Sequence, residues 1–67
     1  MKIILNNSPE SFDVDQCTVN ELLKRKNFTF KMLIIKINGK LVKKEEYDSA
    51  MIIDGDDVNV LHLISGG

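Results

Sequence analysis

Apolar and polar residues alternate in several stretches of the chain. Each stretch predicts a β-strand, because successive side chains of a strand point to opposite faces. The predicted strands are residues 2–6, 12–14, 33–37, 40–42 and the stretch from Val58 to the tail. Asn38-Gly39 predicts a tight hairpin turn between two of them, since both residues accept a positive φ. Residues 50–53 add a short apolar run, and a polar turn at 54–57 leads into the last strand.

Polar residues 7–11 separate the first two strands and predict a turn. Pro9 lacks an amide hydrogen, so this segment is not expected to continue a hydrogen-bonded ladder. The short strand at 12–14 is expected to pair back onto the first strand as a hairpin. Cys17, which follows it, is expected to be a semi-buried loop residue.

A helix is predicted to begin after Thr18. Thr18 and Glu21 have the spacing of a capping box, in which each side chain bonds the backbone amide of the other residue. Asn27 tolerates a left-handed conformation and is expected to end the helix. A helix of about nine residues is marginal alone, so its apolar face must pack on a sheet. That face comprises Val19, Leu22 and Leu23, and Phe28 and Phe30 are expected to fill the junction.

The order strand, strand, helix, strand, strand, strand predicts an α+β domain. One helix packs across one face of a mixed sheet of about five strands, and the first and last strands are adjacent and parallel. Alternation places these apolar side chains against the helix: Ile3, Leu5, Leu33, Ile35, Ile37, Ile52, Val58 and Val60. Leu61 and Leu63 then point the other way and form an exposed apolar patch beside the tail. The candidate neighbours of that patch are Ile4, Ile34 and Ile53.

Composition narrows the class of protein. A chain of 67 residues with 43% hydrophobic and 28% charged content is one globular domain. A chain of this size buries only about 60% of its unfolded surface, which argues against a deep substrate cavity and a self-sufficient enzyme. The formal net charge of -1 gives no basic surface for nucleic acid. One cysteine, no secretion signal and no apolar run long enough to span a membrane predict a cytoplasmic protein.

Chemistry is expected at the end of the chain, where the last strand leads into Gly66-Gly67. Glycine has no Cβ, so these residues form a thin segment that can enter a narrow active site of a partner. The Gly67 carboxylate is therefore the candidate reactive group, and Ser65 and Gly66 form the tail that carries it. The alternative is that the glycines simply fray, as chain ends commonly do.

No side chain forms a catalytic or metal site in this interpretation. Cys17 and His62 are distant in sequence, and no third residue or oxyanion-stabilising group accompanies them. The acidic residues around Gly55 lack the ligand spacing and the closing glutamate of a calcium loop, so a solvated turn is expected there. These residues are Asp54, Asp56 and Asp57. The chain is expected to bind no cofactor or metal of its own.

In three sequence features together, the chain resembles the ubiquitin-like sulfur carriers. Within that family it most resembles the carriers of thiamine biosynthesis. The three features are the hairpin Ile37-Asn38-Gly39-Lys40-Leu41-Val42, the turn Asp54-Gly55-Asp56 before a strand, and the terminal Gly66-Gly67. The likeness covers nearly the whole chain, including Thr18-Val19 and Leu22-Leu23 at the start of the helix. It departs at Lys43-Lys44, where many relatives have a Pro-Arg pair.

The resemblance implies a single β-grasp domain over residues 1–67 with a flexible tail at 64–67. It implies that an E1-like (ThiF-like) enzyme uses ATP to adenylate the carboxylate of Gly67. A cysteine desulfurase or another persulfide protein then supplies the sulfur of a thiocarboxylate. Leu61, Leu63 and Ile64 are the expected partner-binding residues, and the chain itself is not an enzyme.

The implied acceptor of the sulfur is a thiazole synthase (ThiG-like), which builds the thiazole ring of thiamine. Three alternatives remain open at this point. The chain is a sulfur carrier like the small subunit of molybdopterin synthase, a ubiquitin-like modifier that forms isopeptide bonds, or a module that binds partners without covalent chemistry.

Overall fold

The computed structural model describes residues 1–29 and 32–63. They form one α-helix, one 3-10 helix and seven β-strands. The strands are β1 (Lys2–Leu5), β2 (Ser8–Ser11), β3 (Gln16–Thr18), β4 (Leu33–Ile37), β5 (Lys40–Val42), β6 (Met51–Ile53) and β7 (Asp57–His62). The α-helix α1 spans Val19–Arg25, and the 3-10 helix spans Lys44–Glu46. None of the helices among these residues has the length and apolar content needed to cross a membrane.

Five of the strands form a mixed sheet in the order β2-β1-β7-β4-β5. The first and last strands of the chain, β1 and β7, are adjacent and parallel, as predicted, with Leu5 paired to Val58. The other three pairs in this sheet are antiparallel. Since β7 lies in the middle of the sheet, it pairs with a strand on each side, and its direction determines where the chain leaves the domain.

The second strand lies at Ser8–Ser11, so the prediction of a turn there and a strand at 12–14 is wrong. The turn is instead Asn6-Asn7, whose φ values of 50 and 66 degrees suit a two-residue hairpin. Met1 and Phe12 exchange two backbone hydrogen bonds of 3.0 and 2.8 Å. Because bonded and non-bonded pairs alternate along an antiparallel ladder, Pro9 opposite Ile4 falls on a non-bonded pair. A proline is tolerated there, since β2 is an edge strand and no ladder bond is lost.

A two-stranded sheet of β3 and β6 was not predicted. Cys17 pairs with Ile52 across it and is only 2% exposed, so the expectation of a semi-buried loop residue is wrong. The strand β3 has only three residues and polar neighbours on both sides of Cys17. Its stability depends on pairing with a segment far away in the sequence, which a local pattern does not reveal.

The helix begins as predicted. The Thr18 hydroxyl accepts a hydrogen bond from the Glu21 amide at 3.2 Å, and the Glu21 carboxylate accepts one from the Thr18 amide at 2.8 Å. The helix has seven residues and is capped at Lys26, slightly shorter than expected. Asn27 follows with a φ of 57 degrees, as its tolerance of the left-handed region predicts. Phe28 packs partly buried against the core, whereas Phe30 lies outside the described residues.

The prediction of the helix-facing side chains is confirmed. Six are buried in the core, namely Ile3, Leu5, Ile35, Ile52, Val58 and Val60. Leu33 and Ile37 are partly buried and pack against that core. Ile52 reaches it from the two-stranded sheet. The helix contributes Val19, Leu22 and Leu23 from its apolar face, all of them buried.

The turn before β7 is held by a buried carboxylate. Asp56 is only 8% exposed, so the expectation that it belongs to a solvated turn is wrong for this residue. Its Oδ1 accepts a hydrogen bond from Asn38 Nδ2 at 3.0 Å, and its Oδ2 accepts one from the Ile53 amide at 2.9 Å. Asn38 Oδ1 in turn accepts a hydrogen bond from the Asp57 amide at 2.9 Å. These bonds tie the β4–β5 hairpin to the start of β7.

Candidate functional site

The face of the five-stranded sheet that is turned away from the helix carries apolar side chains, of which Ile4, Leu41 and Leu61 are exposed and Ile34 is half-buried. Leu61 on β7 pairs with Ile34 on β4. Leu41 on β5 pairs with Lys36, two residues beyond Ile34, and therefore shares the same face. Ile4 on β1 pairs with Asp57, which shares the parity of Leu61 on β7. We name these four residues, Ile4, Ile34, Leu41 and Leu61, the open-face patch.

The exposure of this patch agrees with the predicted direction of Leu61. Leu61 is 52% exposed and Leu41 is 59% exposed, whereas the neighbouring Val60 is 8% exposed. Ile34 was predicted as a neighbour, and its pairing confirms it. Ile53 is exposed but belongs to β6 in the other sheet, so it is not a cross-strand neighbour of Leu61. Leu41 was missed, because only the register of the β4–β5 hairpin shows which face it occupies.

The last described residues continue directly from this patch. Leu63 follows the end of β7 at His62, and its amide donates a hydrogen bond of 2.9 Å to the carbonyl of Met32. Leu63 is 42% exposed, in agreement with its predicted accessibility. The remaining predicted site residues, Ile64, Ser65, Gly66 and Gly67, lie outside the described residues.

One backbone and one side-chain hydrogen bond of Asn6, in the turn of the first hairpin, hold β7 beyond the point where β1 ends. The backbone amide of Asn6 donates a hydrogen bond to the Val58 carbonyl at 2.9 Å. The side-chain Oδ1 of Asn6 accepts a hydrogen bond from the Val60 backbone amide at 2.8 Å. An unpaired amide in this position would cost free energy, because Val60 is buried. Asn6 thus fixes the strand up to the residue before Leu61 and positions the exit of the chain.

A surface groove lies on the helix side of the same exit point. It has a volume of about 770 Å³ and lies between the C-terminal half of α1, the segment around the 3-10 helix, and the ends of β4 and β7. Its described lining residues are Asn20, Leu23, Lys24, Asn27, Phe28, Thr29, Met32, Leu33, Lys44, Tyr47 and Leu63. Leu63 therefore lies between the open-face patch and the groove.

The structure gives Cys17 no character of a nucleophile. Burial, and secondarily the negative charge of Glu21, raise the pKa of the Cys17 thiol above its usual 9.0. The thiol is therefore protonated at neutral pH, and the thiolate is the reactive form. Cys17 lies in the two-stranded sheet, whereas His62 is exposed at the end of β7 in the other sheet.

The acidic turn offers no metal site within the part of the chain that is described. No group of three or more histidine, cysteine, aspartate or glutamate side chains in residues 1–29 and 32–63 is placed to hold a metal ion. Of the turn residues, Asp54 accepts a hydrogen bond from the Lys2 amide at 2.7 Å. The two carboxylates of Asp54 and Asp56 thus serve the backbone of neighbouring strands.

The described architecture defines a class of protein. One helix across one face of a mixed sheet, with the first and last strands parallel and adjacent, is the β-grasp fold of ubiquitin-like proteins. The model of the ThiS family matches residues 3–67, and the chain belongs to this family of sulfur carriers.

Individual relatives agree with this assignment. The chain is 27% identical over 63 residues to the sulfur carrier protein ThiS of Bacillus subtilis (strain 168), covering 94% of this chain and 96% of that protein. The crystal structure of the thiamine biosynthesis protein ThiS from Geobacter metallireducens matches with a TM-score of 0.90 at 28% identity, over 100% of both chains. A solution structure of a thiamine biosynthesis protein from the same organism gives a TM-score of 0.81 at 28% identity, over 100% of this chain and 88% of the other.

Proposed function

We propose that this chain carries sulfur as a thiocarboxylate on Gly67, and that the sulfur is used for the thiazole ring of thiamine. The observation that carries the proposal is the extent of the family match, which runs through residue 67 and so includes both glycines of the tail. The relative from Bacillus subtilis is named a sulfur carrier, and the solved relatives are named thiamine biosynthesis proteins.

The proposed chemistry begins with activation of the carboxylate. A carboxylate is a poor electrophile, because its oxygen is a poor leaving group. In the proposed reaction an oxygen of the Gly67 carboxylate attacks the α-phosphorus of ATP in an E1-like enzyme, and pyrophosphate leaves. The product is an acyl-adenylate, whose leaving group is AMP.

Sulfur enters in the second stage. The terminal sulfur of a persulfide, supplied by a cysteine desulfurase or another persulfide protein, attacks the carbonyl carbon of Gly67 and AMP leaves. A second thiol then cleaves the sulfur–sulfur bond, forming a disulfide and leaving the thiocarboxylate on this chain. A thiazole synthase is the proposed acceptor of that sulfur.

Within this proposal the chain supplies shape and no catalytic side chain. Gly66 and Gly67 have no Cβ, so the tail fits a slot too narrow for other residues. The reaction rate depends strongly on the placement of the reacting group, and a misplacement of about 1 Å can lower the rate about 100-fold. The ATP site and the reacting thiols therefore belong to the partners.

The proposed docking surface for the adenylating enzyme is the open-face patch together with Leu63 and Ile64. Leu61 lies in the middle strand of the sheet and is half exposed, which suits a central apolar contact. Lys36 pairs with Leu41 on one side and with Asn59 on the other, so polar side chains lie among the apolar ones on this face.

Mass spectrometry of the intact chain purified from its native host tests this proposal. A thiocarboxylate is expected, with the mass change of one oxygen replaced by sulfur, and the modified form should disappear when the gene for the adenylating enzyme is deleted. A ladder of conjugates to other proteins would instead indicate a protein modifier, and an unchanged mass under all conditions would indicate a binding module. Restoration of growth of a deletion strain by added thiazole would separate thiamine synthesis from a role in molybdopterin synthesis.

A further inference from the structure

The groove on the helix side has an apolar floor and a basic rim. Leu23 is buried at its base, and Phe28 and Leu33 are partly buried beside it. Met32 and Leu63 are exposed and complete the apolar surface near the exit of the chain. A concave site with an apolar floor suits the insertion of an apolar side chain.

The charged side chains that line the described part of this groove are both basic. Lys24, in the last turn of α1, and Lys44, in the 3-10 helix, are exposed, and they are the only charged side chains among the described lining residues. Asn20 on the rim donates a hydrogen bond to the carboxylate of Asp48, which is not itself a lining residue of the groove. The groove therefore favours an occupant that carries negative charge next to an apolar group.

The position of the groove indicates which partner reaches it. Leu63 lines the groove and follows Leu61 of the open-face patch by two residues, which span only about 7 Å of extended chain. A protein that takes up the tail beyond Leu63 must surround this exit point. It can therefore contact the open-face patch on one side of the sheet and the groove on the other.

We propose that the groove is a second docking site for the adenylating enzyme, and that it receives a segment of that enzyme in which a carboxylate side chain adjoins an apolar one. This inference rests on the proposed function. The apolar side chain contacts Leu23, Phe28 and Leu33, and the carboxylate pairs with Lys24 or Lys44. The open-face patch then provides apolar affinity, and the groove adds charge-dependent association and fixes the orientation of the tail.

Charge reversal at the rim tests the inference. The variant Lys24→Glu/Lys44→Glu is compared with Lys40→Glu/Lys43→Glu, which makes the same change in net charge at exposed lysines outside the groove. Calorimetric titration with the adenylating enzyme from the same organism gives the Kd at low and at high ionic strength, and a thermal melt checks that each variant is folded. The groove variant is expected to raise the Kd by about tenfold at low ionic strength and to lose most of the salt dependence.

The control variant is expected to change the Kd much less and to keep the salt dependence. Equal effects of the two variants would overturn the inference, because they would reflect net charge alone. An unaltered Kd for the groove variant would overturn it as well. In either case the proposed function stands if the enzyme still exchanges pyrophosphate with the full chain and fails to do so after deletion of Gly67.

Methyl NMR of the unaltered chain gives a second readout that needs no substitution. Addition of the adenylating enzyme is expected to shift the methyl signals of Leu23, which lies on α1 and lines the groove. No shift on binding would overturn the proposal. A shift of Leu23 on deletion of Gly66 and Gly67 without enzyme would show that the tail of the chain itself occupies the groove. A dependence on the concentration of the chain alone would indicate a second copy as the occupant. Absence of any binding by the unaltered chain would overturn both the inference and the proposed function.

Discussion

The two faces of β7 differ in what they contribute to the molecule. Val58 and Val60 point to the helix and are buried, whereas Leu61, the next residue, is 52% exposed on the opposite face. Similar apolar side chains therefore have opposite consequences within one strand, because burial depends on which face has a helix across it. The helix-facing side provides the stability of the fold, and the open face remains available to a partner.

The largest expected difference in stability between the two faces comes from creating a cavity on the helix-facing side. Ile35 is fully buried on β4 and pairs with Val60, so Ile35→Ala is expected to lower the free energy of unfolding by about 2–5 kcal/mol. The control is Leu41→Ala on the open face, which is expected to stay within about 0.5 kcal/mol of the parent chain. Chemical denaturation measures both. Equal destabilisation by the two substitutions would mean that the faces are not distinct.

A charge on the open face is expected to separate binding from folding. Leu61→Asp should leave the domain folded, since the side chain already contacts solvent. It should weaken binding to the adenylating enzyme by about 2 kcal/mol or more, because a central apolar contact can carry that much of an interface. Calorimetric titration and a thermal melt of the same sample check the two parts. Unfolding of the variant, with no measurable folded state, would show that Leu61 belongs to the core.

Substitutions at the start of the helix are expected to change the free energy of unfolding by a smaller amount, and part of that change depends on pH. Thr18→Ala removes the hydroxyl of the capping box and is expected to cost about 0.5–2 kcal/mol of unfolding free energy. The Thr18 amide, and next the Thr18 hydroxyl, lower the pKa of Glu21 below its usual 4.5. A carboxyl whose pKa is lowered by folding stabilises the folded state above its unfolded pKa. That contribution disappears as the pH falls through the folded value.

Glu21→Gln isolates this charge while keeping a side chain that can bond the Thr18 amide. The stability difference between the parent chain and Glu21→Gln is therefore expected to be largest near neutral pH and to close as the pH falls through the lowered pKa of Glu21. Thermal melts across that range measure it. A difference that is independent of pH, or that grows in acid, would contradict the assigned role of the carboxylate.

Local sequence signals predicted the elements whose stabilising contacts are themselves local. The β4–β5 hairpin follows from Asn38-Gly39, and both residues have the expected positive φ. The start of α1 follows from Thr18 and Glu21, which bond each other three residues apart. The buried faces of β1, β4 and β7 follow from simple alternation, because one side of each strand packs against the core.

The elements that the sequence did not predict depend on distant partners. The strand β3 exists through its pairing with β6, and Asp56 is buried because Asn38, on another turn, bonds its carboxylate. The position of β2 was obscured by Pro9, which is acceptable only because β2 is an edge strand. Leu41 joins the open-face patch through its register with Lys36. At the functional end, the direction of Leu61 was predictable from parity, and the chemistry of Gly67 stays a prediction.

The central claim is that the carboxylate of Gly67 is the activated group. Pyrophosphate exchange catalysed by the adenylating enzyme tests this claim most directly. The full chain is compared with a chain lacking Gly67 and with one extended by a single residue, each also measured in a thermal melt. Exchange is expected with the full chain and is expected to be abolished in both variants, while their melting temperatures stay near that of the parent, because a terminal residue makes few contacts. Exchange that persists in the deleted and extended chains at the level of the full chain would contradict the account.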